Sequence, residues 1–174
     1  YVFCWFLSFA HYSSLLLLAT FELSIAELAP LRGGPISIVA VVEFTEFLED
    51  ACVFGSGDGT GPGGKIITLF TPGTVKELKF KVEVGDTTLH AYSDINVFET
   101  EQRYHLVSTA SVDGLAVYID GAVAKGANAV YTSSNAEPPA IARTVVYVGK
   151  STTGGGFLKG RVSSITVYSV ALTA

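Results

Sequence analysis

The sequence predicts an all-β fold, an antiparallel sandwich of two sheets. Many short runs rich in β-branched and aromatic residues alternate with turn residues every 8 to 12 positions. Two Asp-Gly pairs, Asp113-Gly114 and Asp120-Gly121, flank one apolar run at residues 115–119. No helical periodicity of useful length follows residue 31. A sheet protein with a strong central hairpin is therefore expected.

The clearest pair of strands spans residues 104–111 and 115–119. Leu106, Ser108 and Ala110 are predicted on one face of the first strand, with Tyr104 and Val107 on or near the opposite face. Asp and Gly tolerate positive φ, as a two-residue hairpin loop requires. The Asp-Gly pair at 113–114 is therefore predicted to form the loop, and the pair at 120–121 a second turn of the same type.

Further strands are predicted on both sides of this hairpin. In chain order they lie at residues 36–47, 51–54, 65–70, 77–84, 87–92, 144–149 and 160–168. Lys79, Lys81 and Glu83 alternate with apolar neighbours, so one face of that strand should be exposed to water. Residues 55–64, 94–103 and most of 123–142 are predicted loops.

The N-terminal segment differs from the rest, because residues 1–21 contain no Asp, Glu, Lys or Arg. Its length matches a membrane crossing, which takes about 20 apolar residues. It also fits buried strands or an apolar arm docked on a partner, and no basic residue precedes it as in a secretion signal. Partner or membrane contacts are predicted for five residues: Trp5, Phe6, Phe9, Leu16 and Leu17. The break at Pro30 and residues 33–35 divides the chain into an arm, 1–34, and a domain, 35–174.

The composition limits the classes of function. The net charge of −5 offers no basic surface for nucleic acid. The mean hydropathy of +0.44 indicates a surface that meets a membrane or partner, or a large buried fraction. Cys4 and Cys52 lie in apolar runs and are predicted to be two buried thiols, with a disulfide as the alternative.

Three stretches resemble laminin-G-like domains of the concanavalin A-like lectin/glucanase superfamily. The first comprises Tyr104-His105-Leu106-Val107, Asp113-Gly114 and Val117-Tyr118-Ile119-Asp120-Gly121, with Tyr104 where the family usually has Trp. The second comprises residues 147–151, 157–162 and 167–172, and the third residues 36–44 and 53–59. The resemblance covers roughly residues 35–173 and implies a jelly-roll sandwich.

The resemblance suggests two activities to consider, glycoside hydrolysis and calcium binding. Glucanases of this group use two carboxylates about 5 to 10 Å apart. Glu43 and Glu46 are three residues apart, so on a strand they point to opposite faces, and hydrolysis is disfavoured. Many laminin-G-like domains bind calcium at the sandwich rim, which implies a calcium site with three candidate ligands in predicted loops: Asp58, Asp94 and Asp113.

The function predicted first is a non-catalytic interaction or scaffold module, an accessory subunit of a larger extracellular or membrane-associated assembly, an organellar membrane complex included. Its partners would be proteins, with membrane contact through residues 1–21. The alternative is a lectin-like glycan binder, and the second alternative is a glucanase-type hydrolase. Four aromatic residues in loops or at strand ends are the candidate glycan contacts: Tyr92, Phe98, Tyr131 and Phe157.

Overall fold

The computed structural model describes residues 21–22, 31, 33–58, 66–84, 86–132, 135–152 and 156–173. It confirms the all-β prediction, with two antiparallel sheets packed as a jelly-roll sandwich. Twelve strands lie in the described residues: β1 (Phe21–Glu22), β2 (Ile36–Glu46), β3 (Ala51–Gly57), β4 (Ile67–Thr71), β5 (Lys79–Val84), β6 (Thr87–Tyr92), β7 (Arg103–Ser111), β8 (Gly114–Ile119), β9 (Ala122–Val123), β10 (Val130–Thr132), β11 (Val145–Val148) and β12 (Lys159–Tyr168). A short 3-10 turn, Gly73–Val75, follows β4.

The strands form two sheets whose order differs from the chain order. Sheet A has the order β1-β11-β3-β4-β5-β6. Sheet B has the order β10-β8-β7-β2-β12, and β9 pairs with β8. Because β11 pairs with β3, a late part of the chain lies beside an early one. The outer face of sheet A therefore combines residues from distant parts of the chain.

The inward faces of the two sheets form one hydrophobic core. On β2 the alternating residues Ile36, Ile38, Ala40, Val42 and Phe44 are at most 1% exposed, as the period of two requires. They pack in one cluster with the inward residues of sheet A, among them Phe54, Leu69 and Phe80. At the end of β2, Phe44, Phe47, Phe98 and Tyr104 form a group of rings with centroids 4.9 to 6.4 Å apart.

The central hairpin is present, but two details of its prediction are wrong. Tyr104 lies on the same face as Leu106, buried in the core, because the two are two positions apart on one strand. The Tyr104 hydroxyl accepts a 2.6 Å hydrogen bond from the Glu99 N–H. The loop between β7 and β8 is Val112-Asp113, since Ser111 pairs with Gly114. The second turn agrees with its prediction, as Asp120 and Gly121 have φ of 53° and 80°.

Several predictions for the first 34 residues lie outside the described residues, including the contacts of Trp5, Phe6, Phe9, Leu16 and Leu17. Of that segment, β1 pairs with β11, and Leu31 is buried in the core. The Arg143 guanidinium is also buried and donates hydrogen bonds to the Leu31 and Pro139 carbonyls. The division at residue 34 stays a prediction.

Cys52 is a free thiol at 0% exposure, whereas Cys4 lies outside the described residues. Burial raises the pKa of the Cys52 thiol far above its ordinary value, so it packs as a small apolar side chain. No helix in the part of the chain that the structure describes has the length and apolar character for crossing a membrane.

Candidate functional site

The outer face of sheet A carries a row of residues aligned across five strands. Register pairs connect Tyr147 of β11 to Gly55 of β3, Gly55 to Thr68 of β4, Thr68 to Lys81 of β5, and Lys81 to His90 of β6. Their sequence neighbours, such as Val146 and Phe80, point into the core, so the row points outward. With adjacent strands about 4.8 Å apart, the row is roughly 19 Å long.

We name this surface the charged face. It comprises the outward residues of sheet A and the loop residues beside them: Thr68, Lys79, Lys81, Glu83, His90, Tyr92, Tyr147, Lys150 and Phe157. Sheet A positions them because β5 and β6 alternate polar outward residues with buried inward ones. The face lies on regular strands, which are a rigid support for a binding site.

An ion pair lies at the centre of the charged face. Lys81 Nζ is 3.0 Å from Glu83 Oε1, and the two side chains are 25% and 11% exposed. The Ile66 N–H donates a 3.2 Å hydrogen bond to Glu83 Oε2, which fixes the carboxylate from the other side. An ammonium has three donors, so this contact leaves Lys81 with donors for a further acceptor.

His90 lies next to this ion pair, because it is the register partner of Lys81. Its Nδ1 is buried and has no hydrogen-bond partner among the described residues. Burial lowers the pKa of His90 below its ordinary value, and the positive charges of Lys79 and Lys81 lower it further, against an opposing effect of Glu83. These effects favour the neutral imidazole, whose buried Nδ1 lacks a partner among the described residues.

Two flanks of the face combine an aromatic ring with an ammonium group. Lys79 Nζ lies 5.5 Å from the centroid of the Tyr92 ring. Across the sheet, Lys150 Nζ lies 4.8 Å from the Tyr147 ring and 5.9 Å from the Phe157 ring. These are cation–π distances. No ion pair joins either lysine to a carboxylate of the described residues, so both charges are available to an anion.

A loop after β11 lies over the outer face of β3, between Tyr147 and Thr68. Lys150 and Phe157 form an antiparallel bridge at its base. Its Thr152 packs against Gly55, where an added Cβ would lie 3.3 Å from the Thr152 methyl group. Thr152 Oγ1 is buried without a hydrogen-bond partner among the described residues. A glycine at position 55 thus lets the loop approach the sheet and adds a second unsatisfied polar group to the site.

The outer face of sheet B has a different character. By register, Val39 and Val41 of β2 lie beside Val107 and His105 of β7, and Tyr118 of β8 follows. Residues 169–173 cross this face. Ser37 Oγ donates to the Val170 carbonyl at 2.7 Å and accepts from the Leu172 N–H at 2.8 Å. The remaining depression, of about 170 Å³, is lined by His105, Val107, Tyr118, Gly121, Leu172 and Thr173.

The four predicted aromatic contacts lie in three different places. Tyr92 and Phe157 belong to the charged face, and Phe157 is 39% exposed. Tyr131 lies on β10, an edge strand of sheet B. Phe98 is fully buried in the core against Phe44, so its predicted role as a glycan contact is corrected. A loop position in the sequence did not imply exposure.

The three predicted calcium ligands do not come together. Asp58 follows β3 and Asp94 follows β6, at opposite ends of sheet A, while Asp113 lies in the β7–β8 loop of sheet B. Burial lowers the pKa of Arg143 to about 10, and the negative charge of Asp58 opposes this shift. No cluster of three metal-ligating side chains occurs among the described residues. Calcium binding stays a prediction.

The acidic stretch considered for hydrolysis is on sheet B. Glu43 is the register partner of Arg103 and Arg161 on the outer face. Glu46, at the end of β2, is exposed and lies 2.7 Å from Lys159 Nζ. The two carboxylates thus have separate basic neighbours, in line with their predicted placement on opposite faces.

Sequence reasoning missed most of the charged face. The alternation of Lys79, Lys81 and Glu83 predicted that these side chains point outward, although Glu83 is buried at 8% exposure rather than exposed to water. His90, Tyr147 and Lys150 had no signal linking them to this face. Tyr147 and Lys150 join this face because β11 inserts beside β3, far from it in sequence. Such a pairing is decided by tertiary structure and leaves no local pattern.

Comparison with known families agrees with this fold. Residues 21–174 match the laminin G-like family of the concanavalin A-like lectin/glucanases superfamily. The chain belongs to this superfamily. No curated protein matches the sequence.

Solved structures of similar fold include sialidases and carbohydrate-binding domains. A mutant of the NanB sialidase from Streptococcus pneumoniae matches with a TM-score of 0.70 and 13% identity, over 88% of this chain and 25% of that chain. The CBM40 of the Ruminococcus gnavus IT-sialidase, bound to α2,3-sialyllactose, has a TM-score of 0.68 and 13% identity, over 88% of this chain and 91% of that one. Domain 4 of AbnA, an extracellular arabinanase from Geobacillus stearothermophilus, in complex with arabinotriose, has a TM-score of 0.64 and 15% identity, over 81% and 63%.

The chain spans about a quarter of the length of the NanB chains that it matches. The comparisons contradict the first functional prediction, a scaffold module of a larger assembly. The similar structures include carbohydrate-binding domains and sialidases. This finding favours the alternative function predicted from the sequence, a lectin-like glycan binder.

Proposed function

We propose that the chain is a non-catalytic carbohydrate-binding module and that the charged face binds the glycan. The observation that carries this proposal is the arrangement of that face. Tyr92 flanks it on one side and Tyr147 and Phe157 flank it on the other, with hydrogen-bonding side chains between them.

This arrangement suits a sugar for a physical reason. A pyranose ring has apolar C–H faces and a hydroxyl-bearing rim, so it needs a flat apolar contact and several donors and acceptors. Aromatic rings supply the first at low conformational cost. Thr68, Lys81, Glu83 and His90 supply the second, and the free polar atoms His90 Nδ1 and Thr152 Oγ1 lack partners among the described residues. Buried polar atoms without partners are costly unless a ligand satisfies them.

The similar structures support the same function. The Ruminococcus gnavus CBM40 is bound to sialyllactose, and domain 4 of AbnA is in complex with arabinotriose. Both domains come from enzymes that act on glycans, and AbnA is extracellular. We therefore infer that this chain serves as a binding module outside the cell, in a protein or assembly that acts on a glycan.

A glycan array tests the proposal directly. The purified chain is applied to an array of neutral and acidic glycans, and its hits are measured again by isothermal titration. We expect Tyr92→Ala and Tyr147→Ala each to weaken binding about tenfold, because each removes a stacking surface.

The matched control is Tyr118→Ala, which removes a half-buried tyrosine from the outer face of sheet B. It should leave glycan affinity unchanged. An array without hits would overturn the proposal. So would glycan binding that Tyr118→Ala abolishes and that the two variants on the charged face leave intact.

A further inference from the structure

We propose that the glycan is acidic, that its carboxylate binds between Lys79, Lys81 and His90, and that His90 gains a proton when this carboxylate binds. This inference rests on the proposed function and specifies its ligand class and its pH dependence. The similar structures leave the ligand class open, because sialyllactose is acidic and arabinotriose is neutral. The charges of this chain's own residues decide the choice.

Positive charge predominates on a face of an otherwise acidic chain. The net charge of the chain is −5, yet Lys79, Lys81 and Lys150 all lie on the charged face. Glu83 partners Lys81. Glu77 precedes β5, and its burial raises the pKa of the Glu77 carboxyl against an opposing effect of Lys79. Lys79 and Lys150 rest on aromatic rings without an ion-pair partner among the described residues.

A carboxylate suits the centre of this face. Lys81 already holds one carboxylate oxygen at 3.0 Å and keeps two donors. A ligand carboxylate on the other side of Lys81 would be bonded by Lys81, attracted by Lys79, and placed beside the unpaired nitrogen of His90. Its negative charge would offset both lysines, which otherwise repel each other and a protonated imidazole.

The same groups determine what happens to His90. The charged groups that act on it among the described residues are Lys79, Lys81 and Glu83, all on β5. In the free protein, burial and the two lysines keep the imidazole neutral. A bound carboxylate reverses the local charge, so the pKa of His90 rises in the complex and a proton is taken up. By linkage, affinity must then increase as the pH falls through the pKa of the complex, and level off below the pKa of the free protein.

The test is isothermal titration of the intact chain with α2,3-sialyllactose, with trigalacturonic acid as a second carboxylate probe and lactose as the neutral control. Each is titrated at pH 7.5, 6.5 and 5.5 and at two salt concentrations. We expect a carboxylate probe to bind at least tenfold more tightly than lactose, and more tightly still at pH 5.5. Titration in two buffers of different ionisation enthalpy should show uptake of a fraction of a proton at pH 6.5.

Variants assign the effect to residues. Lys79→Gln should weaken the acidic probe about tenfold without affecting lactose, and it leaves no carboxylate unpaired, since Lys79 has no ion-pair partner among the described residues. His90→Gln should abolish the proton uptake and flatten the pH dependence. Lys159→Gln removes an ion-paired lysine from sheet B and is the control that should change neither.

The outcomes separate the two proposals. If neutral glycans from the array bind at this face as tightly as acidic ones, without dependence on salt or pH, carbohydrate binding stands and the acidic-ligand inference fails. Proton uptake that persists in His90→Gln would also overturn it. Failure of every array glycan to bind would overturn the proposed function itself.

Discussion

The two outer faces of the sandwich share one core and one strand geometry, yet they present opposite chemistry. On sheet A the outward residues of β5 are lysines and a glutamate, and two lysines lie over aromatic rings. On sheet B the corresponding positions of β2 include Val39 and Val41, and residues 169–173 cross the face through Ser37. One face holds free charges, and the other carries half-buried valines beside a shallow depression.

The difference shows what covers each face. Apolar outward residues are stabilised only when something excludes water from them, and on sheet B the C-terminal segment contributes to that cover. Charged outward residues stay hydrated at little cost unless neighbouring segments partly bury them, as at Glu83, whose carboxylate accepts a hydrogen bond from the Ile66 N–H. Partial burial of charges that lack full compensation is typical of binding sites.

The largest expected effect concerns the shared core. Phe80 is fully buried on β5, directly between Lys79 and Lys81 in sequence. Phe80→Ala should lower the free energy of unfolding by about 3 to 5 kcal/mol, through lost burial and a residual cavity. Chemical denaturation measures it, with Val112→Ala, in the exposed β7–β8 loop, as a control that changes little. A small effect at Phe80 would contradict a common core beneath both faces.

The second prediction addresses the cover of sheet B. Ser37→Ala leaves the Leu172 N–H and the Val170 carbonyl without their side-chain partner and should cost about 1 to 3 kcal/mol. Its control is Ser111→Ala, since the Ser111 hydroxyl accepts an exposed hydrogen bond from the Asp113 N–H. Equal denaturation curves for the two variants would show that the C-terminal segment does not depend on Ser37.

The third prediction compares two aromatic residues of nearly equal exposure. Phe157, on the charged face, is 39% exposed, and Tyr131, on the edge of sheet B, is 37% exposed. We expect Phe157→Ala to weaken glycan binding about fivefold, equivalent to about 1 kcal/mol, and Tyr131→Ala to leave it unchanged. Titration with the best array glycan measures both, and equal losses would remove the distinction between the faces.

The smallest expected effect is the pH dependence of stability. Because the pKa of His90 is lowered in the folded protein, the unfolded chain binds a proton more readily there. The stability contributed by neutral His90 is thus present above its unfolded pKa and is lost as the pH falls through the folded one. The melting temperature of His90→Gln should fall less between pH 7 and pH 5 than that of the parent chain. His105→Gln, exposed on sheet B, is the control, and a parallel decline in all three proteins would contradict the assignment.

The sequence alone determined the class of fold, most strand positions and the outward direction of Lys79, Lys81 and Glu83 on β5. These follow from local rules, since a period of two, β-branched residues and Asp-Gly turns act within a few positions of each other. Its errors arose where local rules are weak. Tyr104 was assigned to the wrong face although its hydroxyl binds a backbone N–H inside the core, and Phe98 was taken for an exposed loop residue.

Only the tertiary structure decided where a site could lie. Tyr147 and Lys150 share the outer face of sheet A with Lys81 and His90 because β11 pairs with β3, and Thr152 approaches Gly55 because position 55 has no side chain. Strand order in a sheet is set by how apolar faces are buried together over the whole chain, and no short pattern encodes it. The sequence of a strand therefore predicts which of its own residues point outward. Which other strands pair beside it depends on the packing of the whole fold.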